Sequence, residues 1–144
     1  MTPERIAFVL TALAAVVVVL TRVRMTSREE EAAGRVDIPR ALVNVHTTFG
    51  VLALGLWGVF VLGQVDIISK VDTVYGYAGL VCWWVTTVAG LLILMRWVPA
   101  HGRHASGPAA DSWGEGPGLS ILGHVGLLVG SIVWTYLLVA DKLN

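Results

Sequence analysis

Two histidines stand in matched positions in this chain: His46 follows Pro39 by seven residues and His124 follows Pro117 by seven. Each proline marks a helix start, because its fixed φ and missing N–H suit a first turn. Two imidazoles at one depth, facing inward from two helices, are what the axial ligands of a b-type haem require. On the second helix His46, Gly50, Ala53 and Trp57 share one face, so small residues lie beside the imidazole where something flat could fit. On the fourth, Ser120, His124, Leu127, Ser131 and Thr135 form a polar stripe that should point into a bundle rather than toward lipid. Arg22, Arg40 and Arg96 lie near the same helix ends, where their guanidinium forks could pair with propionates. His46, His124, Gly50, Arg22, Arg40 and Arg96 are therefore the candidate cofactor-binding set. Two other readings fit the same histidines. One is a hydrogen-bonding group inside a bundle, with Asn44 or Thr47 as partner, contributing about 1 kcal/mol to helix association; the other is a proton or quinone site.

Other chemistry is thinner. His101 and His104, with Asp111 and Glu115 further on, could meet a metal ion, but without a cysteine that set is better read as a solvated loop. The single cysteine, Cys82, lies in an apolar run and offers neither an internal disulfide nor a cysteine-based zinc site. Ser120 stands one turn from His124, yet no acid is placed to orient the imidazole, so a hydrolase lacks its third member. The sequence leaves enzymatic activity uncertain and favours none of its own.

What must position the histidines is a set of membrane helices. The chain has 144 residues, 56% hydrophobic and 14% charged, with mean hydropathy +0.74, whereas soluble domains carry about 25% charged residues. Ten Lys plus Arg balance ten Asp plus Glu, so the basic field that nucleic-acid binders use is missing. Four stretches, 3–23, 39–63, 73–98 and 117–140, are each long enough to cross a hydrocarbon core, which takes roughly 20 residues. Continuous apolar runs, too few to close a barrel, exclude membrane strands. The expected fold is all-α: one polytopic membrane domain over 1–144, a four-transmembrane-helix bundle. Thr2, Asp37 and Asp72 stand at helix starts. The first stretch lacks a small-residue cleavage pattern and is followed by Arg22, Arg24 and Arg28, so it reads as a retained helix rather than a signal peptide.

Basic residues orient the bundle. Arg22, Arg24, Arg28, Arg35 and Arg40 flank the first connection and Arg96 and Arg103 the third, against Arg5, Lys70 and Lys142 at the other ends. The positive-inside bias then puts both longer loops in the cytoplasm and both termini outside; few Lys and Asn beside plentiful Val, Ala, Gly and Arg suggest a bacterial gene, hence a bacterial inner membrane. Glu29, Glu30 and Glu31 make the first loop mixed in charge rather than polybasic. No acidic residue falls at the membrane centre, which argues against an ion-coupled transporter.

The second and fourth helices share more than proline and histidine. Trp57 follows His46 by eleven residues and Trp134 follows His124 by ten, while Leu20-Thr21-Arg22 and Leu94-Met95-Arg96 precede the two cytoplasmic loops. A degenerate two-plus-two helix repeat accounts for this, as do general habits of membrane helices. Gly79, Trp83, Thr86 and Gly90 line one side of the third helix, and Gly126 with Gly130 makes a small-xxx-small pair on the fourth, so both should approach neighbours closely. Of the six tryptophans, Trp97 fits an interfacial belt, while Trp57, Trp83 and Trp84 lie deeper, between helices or against lipid. Small loops, glycine-lined faces and no catalytic constellation favour an accessory or scaffold subunit of a larger inner-membrane complex, in contact with other membrane subunits or with itself. The alternative is a b-type haem-binding cytochrome or electron-transfer anchor with His46 and His124 as axial ligands.

Overall fold

The computed structural model describes residues 1–26, 39–102 and 118–143; the side chains of 19–26, 96–102 and 118–120 fall outside that description. Four helices account for nearly all of it: α1, Pro3–Thr26; α2, Arg40–Gln64; α3, Thr73–Gly102; and α4, Gly118–Val139. The expected all-helical fold is thus present. Of the described residues, Arg40–Gln64, Thr73–Met95 and Ile121–Val139 are long and apolar enough to cross a membrane. Their outward faces carry Val51, Val81, Leu122 and Val129, all well exposed, and apolar exteriors of this kind suit a lipid environment.

The helix ends follow local chemistry. Asp72 caps α3 by accepting the Val74 N–H at 2.8 Å, as expected of a carboxylate beside orphan N–H groups. Pro39 is the N-cap of α2, with φ −56° and ψ 125° and no side-chain bond; Asp37 lies outside the described residues. Both α2 and α4 close through a left-handed residue, Asp66 at φ 58° and Asp141 at φ 55°. In each case the next N–H reaches back: Ile67 to the Leu62 carbonyl at 3.1 Å, Lys142 to that of Leu137 at 2.9 Å. No glycine announces either turn; aspartate is among the few other residues that tolerate this region. α3 runs further than the apolar pattern suggests, through Pro99 to Gly102, so the backbone of His101 belongs to its last turn rather than to a loop.

Packing runs α1 to α2 to α3 to α4 and back to α1, which sets α2 and α4 across from each other. α2 and α3 form the closest pair, joined by a short connection that folds over Gly63, where a Cβ would stand 2.9 Å from the Val71 nitrogen. The expected stripe on α3 faces inward: Gly79, Trp83, Thr86 and Gly90 are all buried. The glycine pair on α4 behaves otherwise. Gly126 is exposed, and a Cβ placed there would have nothing within 4 Å, whereas Gly130 faces its own helix's Trp134. Neither brings α4 against another helix of the bundle, because their spacing falls on the side turned outward and on the side filled by that indole.

The core is concentrated toward one end. Trp57, Phe60, Trp83, Trp134, Leu138 and Leu143 are essentially inaccessible there, with Ala7, Leu10 and Ala14 of α1 packed on the same cluster. Ring centres are 5.6 Å apart for Trp57 and Phe60, 5.5 Å for Trp57 and Trp134, and 5.0 Å for Trp83 and Trp134, within the range of favourable tilted aromatic pairs. The Trp57 indole donates to Thr11 Oγ1 at 2.9 Å, and Thr11 donates in turn to the Ala7 carbonyl at 2.7 Å. The Trp84 indole repeats the arrangement, donating to Thr135 Oγ1 at 3.0 Å while Thr135 donates to the Ser131 carbonyl at 2.7 Å. Each hydroxyl satisfies an indole N–H and returns its proton to its own helix, so neither polar group is stranded in an apolar interior.

A candidate histidine site between opposed helices

His46 is placed on α2 by the register that buries Ala53 and Trp57, and His124 on α4 by the register that buries Ser131 and Trp134. Both imidazoles are half-buried, and the structure brings them together across the bundle with ring centres 6.0 Å apart and planes tilted by 40°. A Cβ added to Gly90 of α3 would stand 2.8 Å from His124 Nε2 and 3.1 Å from His46 Nε2, and 2.5 Å from His124 Cδ2. Both Nε2 atoms therefore converge on one spot, and that spot is a notch in α3 where a side chain is missing.

The rest of the expected set is distributed around this pair. Gly50 lies one turn from His46 and faces α3, where a Cβ would meet Thr86 Cγ2 at 3.5 Å, an ordinary contact. The tight notch is thus at Gly90, not at Gly50. Arg40 is exposed in the first turn of α2, about 9 Å of helix rise from His46. The side chains of Arg22, Arg96, His101 and Ser120, and all of His104, Asp111 and Glu115, lie outside the described residues. Asn44 and Thr47 are both exposed, so neither faces the imidazoles. Among the described residues no group of three or more His, Cys, Asp or Glu side chains could hold a metal ion.

One helical step further in, the polar stripe of α4 does face inward. Thr87 donates to the Trp83 carbonyl at 2.8 Å, so the 3.2 Å contact between Thr87 and Ser131 uses the Ser131 proton. This buried hydroxyl pair ties α3 to α4 between the histidines and the tryptophans.

A second level has the same plan. Trp57 of α2 and Trp134 of α4 meet across the bundle, and Gly79 of α3 lies so close to Trp57 that a Cβ would stand 2.6 Å from its backbone nitrogen. Gly79 and Gly90 are eleven residues apart, as are His46 and Trp57. Each level joins one ring from α2, one ring from α4 and one glycine of α3. Sequence reasoning finds both rings of each level but not the glycines' part in them; equal spacing on antiparallel helices is the signal that could have revealed it.

Whether the histidine level suits a haem is a question of donors and room. Two imidazoles are donors that a haem iron takes, and His46 and His124, with ring centres 6.0 Å apart, would be the residues to hold one. Room is another matter: the imidazoles lie against Gly90 so closely that even a Cβ there would collide with His124. The donor chemistry suits the group, while the packing at Gly90 leaves no open space beside the pair. No family model matches the chain, and no curated protein or solved structure matches it either.

Proposed function

We propose that this protein is a small b-type haem-binding membrane protein, an electron-transfer anchor, with His46 of α2 and His124 of α4 as the two axial ligands. The observation that carries this is the convergence of the two imidazoles from opposed helices, ring centres 6.0 Å apart over Gly90. Haem bound there would supply one-electron chemistry. The chain's own part is to hold two imidazoles at one level, to keep water from them with the packed tryptophans beneath, and to offer Arg40, with Arg22 and Arg96, for propionates. All four helices span the membrane in this proposal, as two equivalent pairs. The excess of arginine beside the longer loops puts those loops in the cytoplasm and both termini outside a bacterial inner membrane.

The visible spectrum of protein purified after expression with ample haem tests it. A reducible Soret band is expected, lost on His46→Ala or His124→Ala and kept on His101→Ala or His104→Ala; no band in the unmodified protein would sink the proposal. Phosphatase fusions at the two termini, active outside the cytoplasm, test the orientation.

A second reading, an accessory or scaffold subunit of a larger membrane complex, is favoured by Gly55 and Gly126, exposed glycines with open space beside them, where a partner helix could approach closely. Purification in mild detergent decides it: co-purifying chains support the reading, and a lone monomer or homodimer overturns it.

A further inference from the structure

The outward side of the seam between α2 and α3 carries a groove of about 390 Å³, walled by Leu42 and Val45 of α2 and by Val88 and Leu92 of α3. Ala89, small and buried, lies between the exposed rims of Val45, Val88 and Leu92, and the Trp84 indole stands at one end. That indole is fixed: its N–H donates to Thr135 Oγ1 at 3.0 Å, so the one polar atom among the lining side chains is already satisfied. From Trp84 to Leu92 is about 12 Å of helix rise, and to Arg96 about 18 Å, close to the depth of one leaflet of a hydrocarbon core about 30 Å thick. Basic residues stand where the groove ends on that side. Arg96 lies one turn beyond Leu92 in α3, and Arg40, exposed, lies two residues before Leu42 in α2. All the lining residues belong to spans long and apolar enough to cross a membrane.

We infer that this groove is a binding site for one anionic phospholipid of the leaflet beside Arg40 and Arg96, with its phosphate paired to the arginines and one acyl chain lying over Ala89 down to Trp84. An apolar slot with a cationic mouth is complementary to an apolar chain that bears a negative head, and guanidinium forks suit phosphate oxygens. A zwitterionic lipid fills the same slot without the gain from the arginines, because basic sites beside membrane helices favour anionic headgroups. The site goes beyond the haem reading and needs neither histidine. Phosphate and propionate suit the same arginines, so the lipid is sought in haem-free protein, where both arginines are left to it.

Native mass spectrometry of the full-length, haem-free protein in detergent tests it, with phosphatidylglycerol and phosphatidylcholine of identical acyl chains as the probes. One phosphatidylglycerol is expected to stay bound, about tenfold more tightly than phosphatidylcholine, a preference of the size that one or two basic residues near a membrane surface give. Replacing Arg40 and Arg96 together with Gln should erase that preference. Ala89→Phe should weaken phosphatidylglycerol about tenfold by filling the slot, and Val129→Phe, on the exposed face of α4, should change nothing. Melting temperatures check that each variant is folded. Should Ala89→Phe fail to fold, dihexanoyl phosphatidylglycerol and inorganic phosphate are offered to the unmodified protein, and each should bind about tenfold or more weakly than the long-chain lipid. Equal binding of phosphatidylglycerol and phosphatidylcholine by the unmodified protein, unchanged binding in folded Ala89→Phe, or full-strength binding of the short-chain lipid or of phosphate alone overturns the inference.

Discussion

The two levels of the bundle are built to one plan and filled in opposite ways. At the tryptophan level, two large indoles close the cross-section, α3 touches the α2 backbone at Gly79, and Thr11 of α1 accepts the Trp57 N–H, so all four helices meet there. At the histidine level the rings are small and half-buried, and the glycine opposite them is packed against side-chain tips rather than backbone. Packed interiors resist change of volume because every atom already has neighbours. The first level is therefore where stability resides, and the second is where the proposed function puts a ligand. A bundle this small separates the two tasks along its length rather than across it.

Breaking the second level should cost function and spare the fold. Replacing both His46 and His124 with Leu should remove haem uptake entirely, while the stability of the haem-free protein changes by no more than about 1 kcal/mol, since apolar side chains of similar volume are tolerated. Soret absorbance and denaturant unfolding in detergent measure the two effects. A large loss of stability would show the histidines to be structural and the division of labour wrong.

Breaking the first level should do the reverse. Trp57→Ala removes a fully buried indole and its bond to Thr11, and should destabilise by about 3–5 kcal/mol, as large-to-small changes at aromatic core positions do. Smaller, and sharper as a comparison, is Gly79→Ala: the added methyl pushes on backbone, so a loss of about 1–3 kcal/mol is expected. The same change at Gly126, in open space, should be neutral or stabilising by up to about 1 kcal/mol through helix propensity. Equal melting temperatures for the two would contradict the close approach of α3 to α2. Smallest of all, Ser131→Ala leaves Thr87 still bonded to its own helix and should cost about 0.6 kcal/mol, typical of a hydrogen bond between membrane helices.

Much of this arrangement is legible in the residues. Apolar runs bounded by Asp72 and the prolines locate the helices, and the period of α2 places His46, Ala53 and Trp57 on one buried face. The spacing from Pro39 and Pro117 puts the histidines at one depth. What the sequence withholds is how each helix is rotated against its neighbours. Gly126 and Gly130 have the spacing of an interface, yet the first is exposed and the second shelters Trp134, because a motif of spacing says nothing about which side of the bundle it faces. Gly90 is legible as part of a small stripe but not as the meeting point of two imidazoles, since that requires knowing that α2 and α4 stand opposed. The ends of α2 and α4 are hidden for a different reason. Their left-handed residues are aspartates, and the glycine that usually signals such a turn is missing.

The short connection over Gly63 also has a meaning in time. Loop closure between α2 and α3 is local, so the contacts of Gly79 and Gly76 with Trp57 and Phe60 can form as soon as α3 has been synthesised. The imidazole pair cannot, because His124 arrives on the last helix. Until α4 docks, the chain holds one imidazole beside an open notch. Pairing of the two imidazoles is thus the closing contact of assembly, and under the proposed function a ligand that grips both histidines would act as a latch on the final helix.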